Sequence, residues 1–267
     1  MCLACSVETK ALETLLIDVA DNGVVTVTMN RPEKKNAANA TMWDELRATW
    51  DQIALDPDVR CVIMTGAGDA FCSGADLGGG GRKVHQLQAM NMIHRTVQAL
   101  YSIMVPVIAK VNGVAAGAGM NMALACDLIV AGDQARFSEI FARRGLSVDF
   151  GGSWILPRMV GLHKAKELAF FADVISADQA AEFGLVNQVV PADQLDAEVA
   201  AWADRLAAGP PLALAMTKRL LTHNATADFP AALEAEGMAQ TVNFASDDTR
   251  EAVKAFLQKR EPKFEGR

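Results

Sequence analysis

Two glycine-rich runs mark places where backbone amides, rather than side chains, are positioned to do chemistry. Phe71-Cys72-Ser73-Gly74-Ala75-Asp76-Leu77 follows the apolar run Val59 to Thr65. Asn112-Gly113-Val114-Ala115-Ala116-Gly117-Ala118-Gly119 leads into an apolar helical segment. Small residues let a ligand approach the main chain closely. The first amides of a helix have no partner inside it and carry partial positive charge. Two such amides converging on one point make an oxyanion hole, which stabilises charge developing on a carbonyl oxygen. The same glycines would equally serve tight turns and close packing, and the pattern alone does not choose between the two.

Other patterned chemistries fail at specific positions. A dinucleotide fingerprint beginning at Gly117 has Met122 where its last glycine belongs. Gly81-Arg82-Lys83-Val84 does not complete a phosphate loop. A hydrolase elbow fails at Ser73, preceded by Phe71, and at Ser153, followed by Ile155. His85, His94, His163 and His223 form no helical metal pair, and Cys2 and Cys5 have no second pair to complete a zinc site. No metal is expected, and the five cysteines read as reduced thiols of a cytoplasmic protein.

The elements that position these runs are legible in outline. Gly23 to Asn30, Val59 to Thr65, Pro106 to Gly113 and Leu128 to Ala131 read as strands. A helix is expected after Thr41, capped by Thr41 with Asp44, with Met42, Leu46, Trp50 and Ile53 on one stripe. Further helices are expected at Val84 to Ile103, Met120 to Cys126, Lys164 to Phe171, Ala177 to Phe183, Ala192 to Ala208, Pro211 to Asn224, and from Glu234 to Pro262, with a short strand at Val174-Ile175. Alternating strands and helices followed by helices alone predict an α/β core with a helical C-terminal region. The boundary is expected near Gly209-Pro210-Pro211, giving segments 1–208 and 209–267. The chain has 267 residues, 51% of them apolar, enough for a core without disulfides. Its net charge of −7 argues against a nucleic-acid binder, and no apolar run reaches membrane-spanning length.

The ordered segments NRPEKKNAAN (30–39), DVRCVIMTGAGDAFCSGADL (58–77), VNGVAAGAGMNMALACDLIVAGDQARF (111–137), GLSVDFGGSWILPRMVG (145–161), AEFGLVNQVVP (181–191) and SDDTREAVKAFLQKREPKF (246–264) resemble the crotonase, or enoyl-CoA hydratase/isomerase, family. The resemblance covers essentially the whole chain. It implies a spiral of ββα units, a helical C-terminal trimerisation region, and assembly as a trimer or dimer of trimers. It implies acyl-CoA thioester substrates, with coenzyme A entering only as part of the substrate and no other cofactor. It assigns the oxyanion amides to Ala75 and Ala118, where the second is often glycine in the family. Substrate contacts fall by the same resemblance to Ala37, Gly74, Ala75, Asp76, Leu77, Gly117, Ala118, Asn121, Phe141 and His94.

Hydratases of the family use two glutamates to hold and activate water. Their places are taken here by Asn121 and Phe141. A carboxylate does occupy a third family position, Asp149, where several double-bond isomerases carry an acid. One carboxylate suffices for a 1,3-proton shift, because the same base removes and returns the proton. Isomerisation is therefore favoured, with hydration through a non-standard acid as the alternative and a non-catalytic acyl-CoA-binding protein as a second. Asp149 would otherwise cap a helix starting near Gly151-Gly152. Glu139 is a second candidate acid: it shares a face with the Phe141 position if the stretch is extended, and is otherwise a solvated or salt-bridged glutamate. Arg82, Lys83 and Lys259 are candidates to meet CoA phosphates.

Overall fold

The computed structural model describes residues 6–78 and 84–267, so Cys2, Cys5, Arg82 and Lys83 lie outside the described residues. Strands β1 (Lys10–Ala11), β2 (Leu15–Val19) and β3 (Val24–Met29) form an antiparallel meander that leads to helix α1 (Ala40–Leu55). Three ββα units follow. The first is β4 (Cys61–Gly66), β5 (Ala70–Cys72) and α2 (Gln86–Tyr101). The second is β6 (Val107–Val111), β7 (Val114–Ala116) and α3 (Ala118–Leu124). The third is β8 (Leu128–Gly132), β9 (Arg136–Ser138), a 3₁₀ turn at Ile140–Arg144 and α4 (Gly152–Val160).

The first strand of each unit enters one large sheet and the second enters a small one. The large sheet is ordered β1-β2-β3-β4-β6-β8-β11 and is parallel from β3 onward. The small sheet is ordered β10-β9-β7-β5. The elements after α4 are α5 (Leu162–Phe171), β10 (Ile175–Ser176), α6 (Ala177–Glu182), β11 (Gln188–Val190) and α7 (Leu195–Ala207). The chain ends in α8 (Pro211–Asn224), α9 (Phe229–Ala245) and α10 (Asp247–Gln258).

Strand β4 explains why its sequence is apolar without alternation: both faces of the parallel sheet are covered. Val62 and Met64 point into the main core with Trp50, Phe71 and Phe137. Cys61 and Ile63 point the other way, against Leu195, Val199 and Ala203 of α7.

The expected strands and helices are present, with differences that have local causes. Helix α1 is capped by Asn39, whose side chain accepts from the Met42 amide, and not by Thr41. Helix α9 starts at Phe229 because the Asp228 side chain caps it, earlier than the Glu234 start expected from sequence. Ser246 then separates α9 from α10 by capping the latter. The small-sheet strands β5, β7 and β9 are three residues each, too short for a periodicity signal. Among the described residues no helix is long and apolar enough to cross a membrane. Nor do these residues contain a group of three side chains fit to hold a metal ion.

Candidate active site

Strands β5 and β7 are parallel neighbours, paired at Ala70↔Val114 and Cys72↔Ala115. Their C-terminal ends therefore deliver the two glycine-rich runs side by side. Gly74 (φ +106) and Gly117 (φ +53) make the turns in left-handed conformations that residues with a side chain rarely adopt. A Cβ built on Gly74 would lie 2.9 Å from the Ala116 oxygen and 3.8 Å from the Ala118 nitrogen, so the two turns touch. A Cβ on Gly119 would lie 2.1 Å from the Cys72 oxygen, so α3 is pressed directly onto β5.

Ala75 sits in an isolated parallel bridge with Ala38. The amide of Ala38 donates to the Gly74 carbonyl at 2.8 Å, and that of Asp76 donates to the Ala38 carbonyl at 2.9 Å. Alternation along such a bridge turns the intervening Ala75 N–H away from the Ala38 segment. Ala118 is the first residue of α3, where an amide has no intrahelical acceptor. Neither amide has an acceptor among the described residues.

A polar cluster lies one turn further into α3. Asn121 is fully buried and its Nδ2 donates to the Asp149 carbonyl at 3.0 Å and, more weakly, to Glu139 Oε2 at 3.4 Å. Asn121 packs tightly under the start of α4: a Cβ on Gly152 would lie 2.3 Å from its Nδ2. Three buried oxygens in this cluster have no hydrogen-bond partner among the described residues: Asn121 Oδ1, Glu139 Oε1 and Asp149 Oδ1. Orphaned buried acceptors are rare and call for a ligand, a water or a proton.

Glu139 is 1% exposed, so it is not solvated; among the described residues it has no ion-pair partner, and it does reach the polar cluster. Burial pushes its pKa up to about 7, the Asn121 bond holds it back, and the Asp149 charge raises it further. Burial also raises Asp149, to about 6, against the charge of His94 on α2, which favours the ionised form. His94 is otherwise exposed. Asp149 does not cap α4: the N-cap is Gly151, with no side-chain hydrogen bond. The left-handed pair Phe150 (φ +50) and Gly151 (φ +81) makes that turn, which leaves the carboxyl unspent. Phe141 is buried in the 3₁₀ turn, its ring 3.5 Å from a Cβ built on Gly117.

A cleft of about 410 Å³ opens beside Ala75, lined by Arg31, Ala38, Trp43, Asp76, Met90 and Ile93 among others. Asp76 is held in an ion pair with Arg31 at 3.0 Å, Ala37 gives its carbonyl to the same guanidinium, and Leu77 is exposed. Lys259 is exposed at the end of α10. Sequence reasoning did not single out Arg31, although it lies in the motif Asn30-Arg31-Pro32.

The family model for enoyl-CoA hydratase/isomerase matches residues 19–267. A protein of Rhodobacter capsulatus named a probable enoyl-CoA hydratase is 42% identical, the match covering 92% of this chain and 95% of that one. The 1,2-epoxyphenylacetyl-CoA isomerase of Escherichia coli is 36% identical, with 94% of this chain and 98% of that one covered. The crystal structure of an enoyl-CoA hydratase from Bacillus anthracis superposes with a TM-score of 0.91 at 32% identity, covering 96% of this chain and 100% of that one. The chain belongs to the enoyl-CoA hydratase/isomerase family.

Proposed function

We propose that this enzyme moves a double bond within an acyl-CoA thioester, with Asp149 as the proton-transferring base. The amides of Ala75 and Ala118 donate to the thioester oxygen. Asp149 takes a proton from the α or γ carbon, and the C–H electron pair flows toward the carbonyl to form an enolate. The same carboxyl returns the proton at the other end of the conjugated system, giving an isomer. Each oxyanion donor is worth roughly 10²–10³ in rate for reactions of this kind. No cofactor is needed, since coenzyme A enters as part of the substrate.

The observation that carries this reading is the state of Asp149. Its Oδ1 is buried and unpartnered. Asn121 and Phe141 stand where the family's water-activating pair would be. The name of the Escherichia coli relative supports an isomerase reading. The test is incubation with 2-enoyl-, 3-enoyl- and ring-bearing acyl-CoAs, with products read by mass. Isomers of unchanged mass are expected.

One observation favours a second reading, hydration: Glu139 Oε1 is also buried and unpartnered beside Asp149, which supplies a second carboxylate. The name of the Rhodobacter capsulatus relative agrees with it. Products heavier by one water would select it.

We further propose that α8, α9 and α10 mediate self-association as a trimer or dimer of trimers. Phe229, Phe244, Phe256 and Leu257 on α9 and α10 are each at least 71% exposed, more apolar surface than a free monomer ordinarily presents.

A further inference from the structure

The turn that presents Ala75 does not hold its shape alone. It is strapped to residues 31–38, a separate segment between β3 and α1. The Ser73 amide donates to the Lys35 carbonyl at 3.0 Å, and the Ala38 bridge takes up Gly74 and Asp76. The strap is anchored by Asn36, a left-handed residue (φ +56) that is fully buried. Its Oδ1 accepts from the Arg31 amide at 2.9 Å, and its Nδ2 donates to the Ala67 and Ala70 carbonyls at 2.9 and 2.8 Å.

The guanidinium of Arg31 closes this assembly. One arm donates to the Ala37 carbonyl on the strap, and the other to Asp76 Oδ2 at 3.0 Å on the turn. Both side chains are largely shielded, 16% and 13% exposed. The two arms grip the residues on either side of the Ala38–Ala75 bridge. The Ala75 N–H shares its peptide plane with the Gly74 carbonyl, so turning it would have to break the bond from the Ala38 amide, and that amide shares its own plane with the Ala37 carbonyl that the fork holds. Charge-assisted bonds from a planar fork are the stronger kind and fix direction as well as distance.

We propose that Arg31 is a positioning residue for the reaction: its fork between Ala37 and Asp76 presets the direction of the Ala75 N–H at the thioester oxygen. This rests on the reading above that Ala75 is an oxyanion donor. It does not depend on whether the enzyme isomerises or hydrates. Lysine reaches with a point charge and grips one side only, so Arg31→Lys loses part of the effect. Arg31→Met keeps the apolar stem and loses the fork.

The test uses hexanoyl-CoA carrying ¹³C at the thioester carbon, a saturated ligand that neither isomerises nor hydrates. Infrared difference spectra of the bound ligand read how strongly the carbonyl is polarised. The wild type is expected to lower the carbonyl stretch relative to free thioester. Arg31→Lys should lose part of that shift and Arg31→Met most of it, with the ligand still bound. In turnover, kcat should fall on the order of 10–10² with KM little changed, since small misplacement of a reacting group costs that much. Asp76→Asn, which weakens the same ion pair from the other side, should reproduce the loss and stands in if Arg31→Met does not fold. A wild-type carbonyl shift retained in both Arg31→Met and Asp76→Asn would overturn the proposal. So would a rise in KM with kcat unchanged, which would make Arg31 a substrate contact. Absence of any shift in the wild type, with hexanoyl-CoA bound, would sink the oxyanion reading itself and the role of Arg31 with it.

Discussion

The side-chain amide of Asn121 is bonded to the main-chain carbonyl of Asp149, at 3.0 Å. A neutral amide thus occupies the place where a water-activating carboxylate is expected in the family's hydratases, and it is spent on holding the loop that carries Asp149. The Asp149 carboxyl itself takes no part in that anchoring. On the proposed mechanism, loop position and proton chemistry are handled by different groups, so each is separately accessible to substitution.

Asp149→Asn keeps the size of the side chain and removes the base. Turnover should fall by roughly 10²–10⁴, while hexanoyl-CoA still binds and the melting curve moves little. Steady-state rates with 3-enoyl-CoA and a thermal-shift titration check both halves. A wild type that hydrates crotonyl-CoA rapidly, matched by an equally active Asp149→Asn, would remove Asp149 from the mechanism.

The pH profile follows from the same residue. Asp149 must be ionised to accept a proton, and its pKa is raised to about 6. Activity should rise with pH through a limb near 6, above the usual aspartate range, and kcat/KM measured from pH 5 to 8 reads it. A limb near 4 would mean that the working base is not buried.

Glu139 makes a prediction about stability. Its folded pKa, about 7, lies above its ordinary 4.5, so between those values the folded state binds more protons than the unfolded one. Stability from this group is greatest when it is protonated and falls as pH rises from about 4.5 to 7. Glu139→Gln carries no titrating proton and should lose that fall. Urea unfolding of both proteins at pH 5 and pH 8 should show the difference between them shifting in favour of Gln at pH 8, by a few kcal/mol at most.

Gly119→Ala should damage the fold more than Gly145→Ala. The first places a Cβ 2.1 Å from the Cys72 oxygen, where α3 lies on β5. The second meets nothing within 4 Å and costs only the left-handed conformation at φ +66. Strain at Gly145 is on the order of 1–2 kcal/mol, and Gly119→Ala should exceed it because backbone has to move. Melting temperatures of the two variants decide the order.

Light scattering at micromolar concentration should report a trimer or hexamer. Phe256→Glu, on the exposed face of α10, should shift it toward smaller species. A monomeric wild type would leave that apolar face without a partner copy.

The strand β4 and helices α1, α2 and α8 are legible because each is long or continuously apolar. The small sheet is not, since three-residue strands such as Ala70–Cys72 carry no period. For the candidate site, the glycine-rich runs and Asp149 stand out in the sequence. The burial of Glu139 does not, because it depends on where β9 ends and the 3₁₀ turn begins. Arg31 is equally hidden: a surface arginine and one clamped across two turns read alike until the partner turn, 45 residues away, is folded beside it.

On the proposed mechanism, the contact between Gly74 and the Ala116–Ala118 turn makes the thioester grip a property of the main chain, whereas the acids are side chains, Glu139 just after β9 and Asp149 in the loop before α4. Evolution can therefore retool this protein by exchanging letters at positions 121, 139, 141 and 149 without disturbing the grip. A library confined to those four codons would sample new reactions on one unchanging class of substrate.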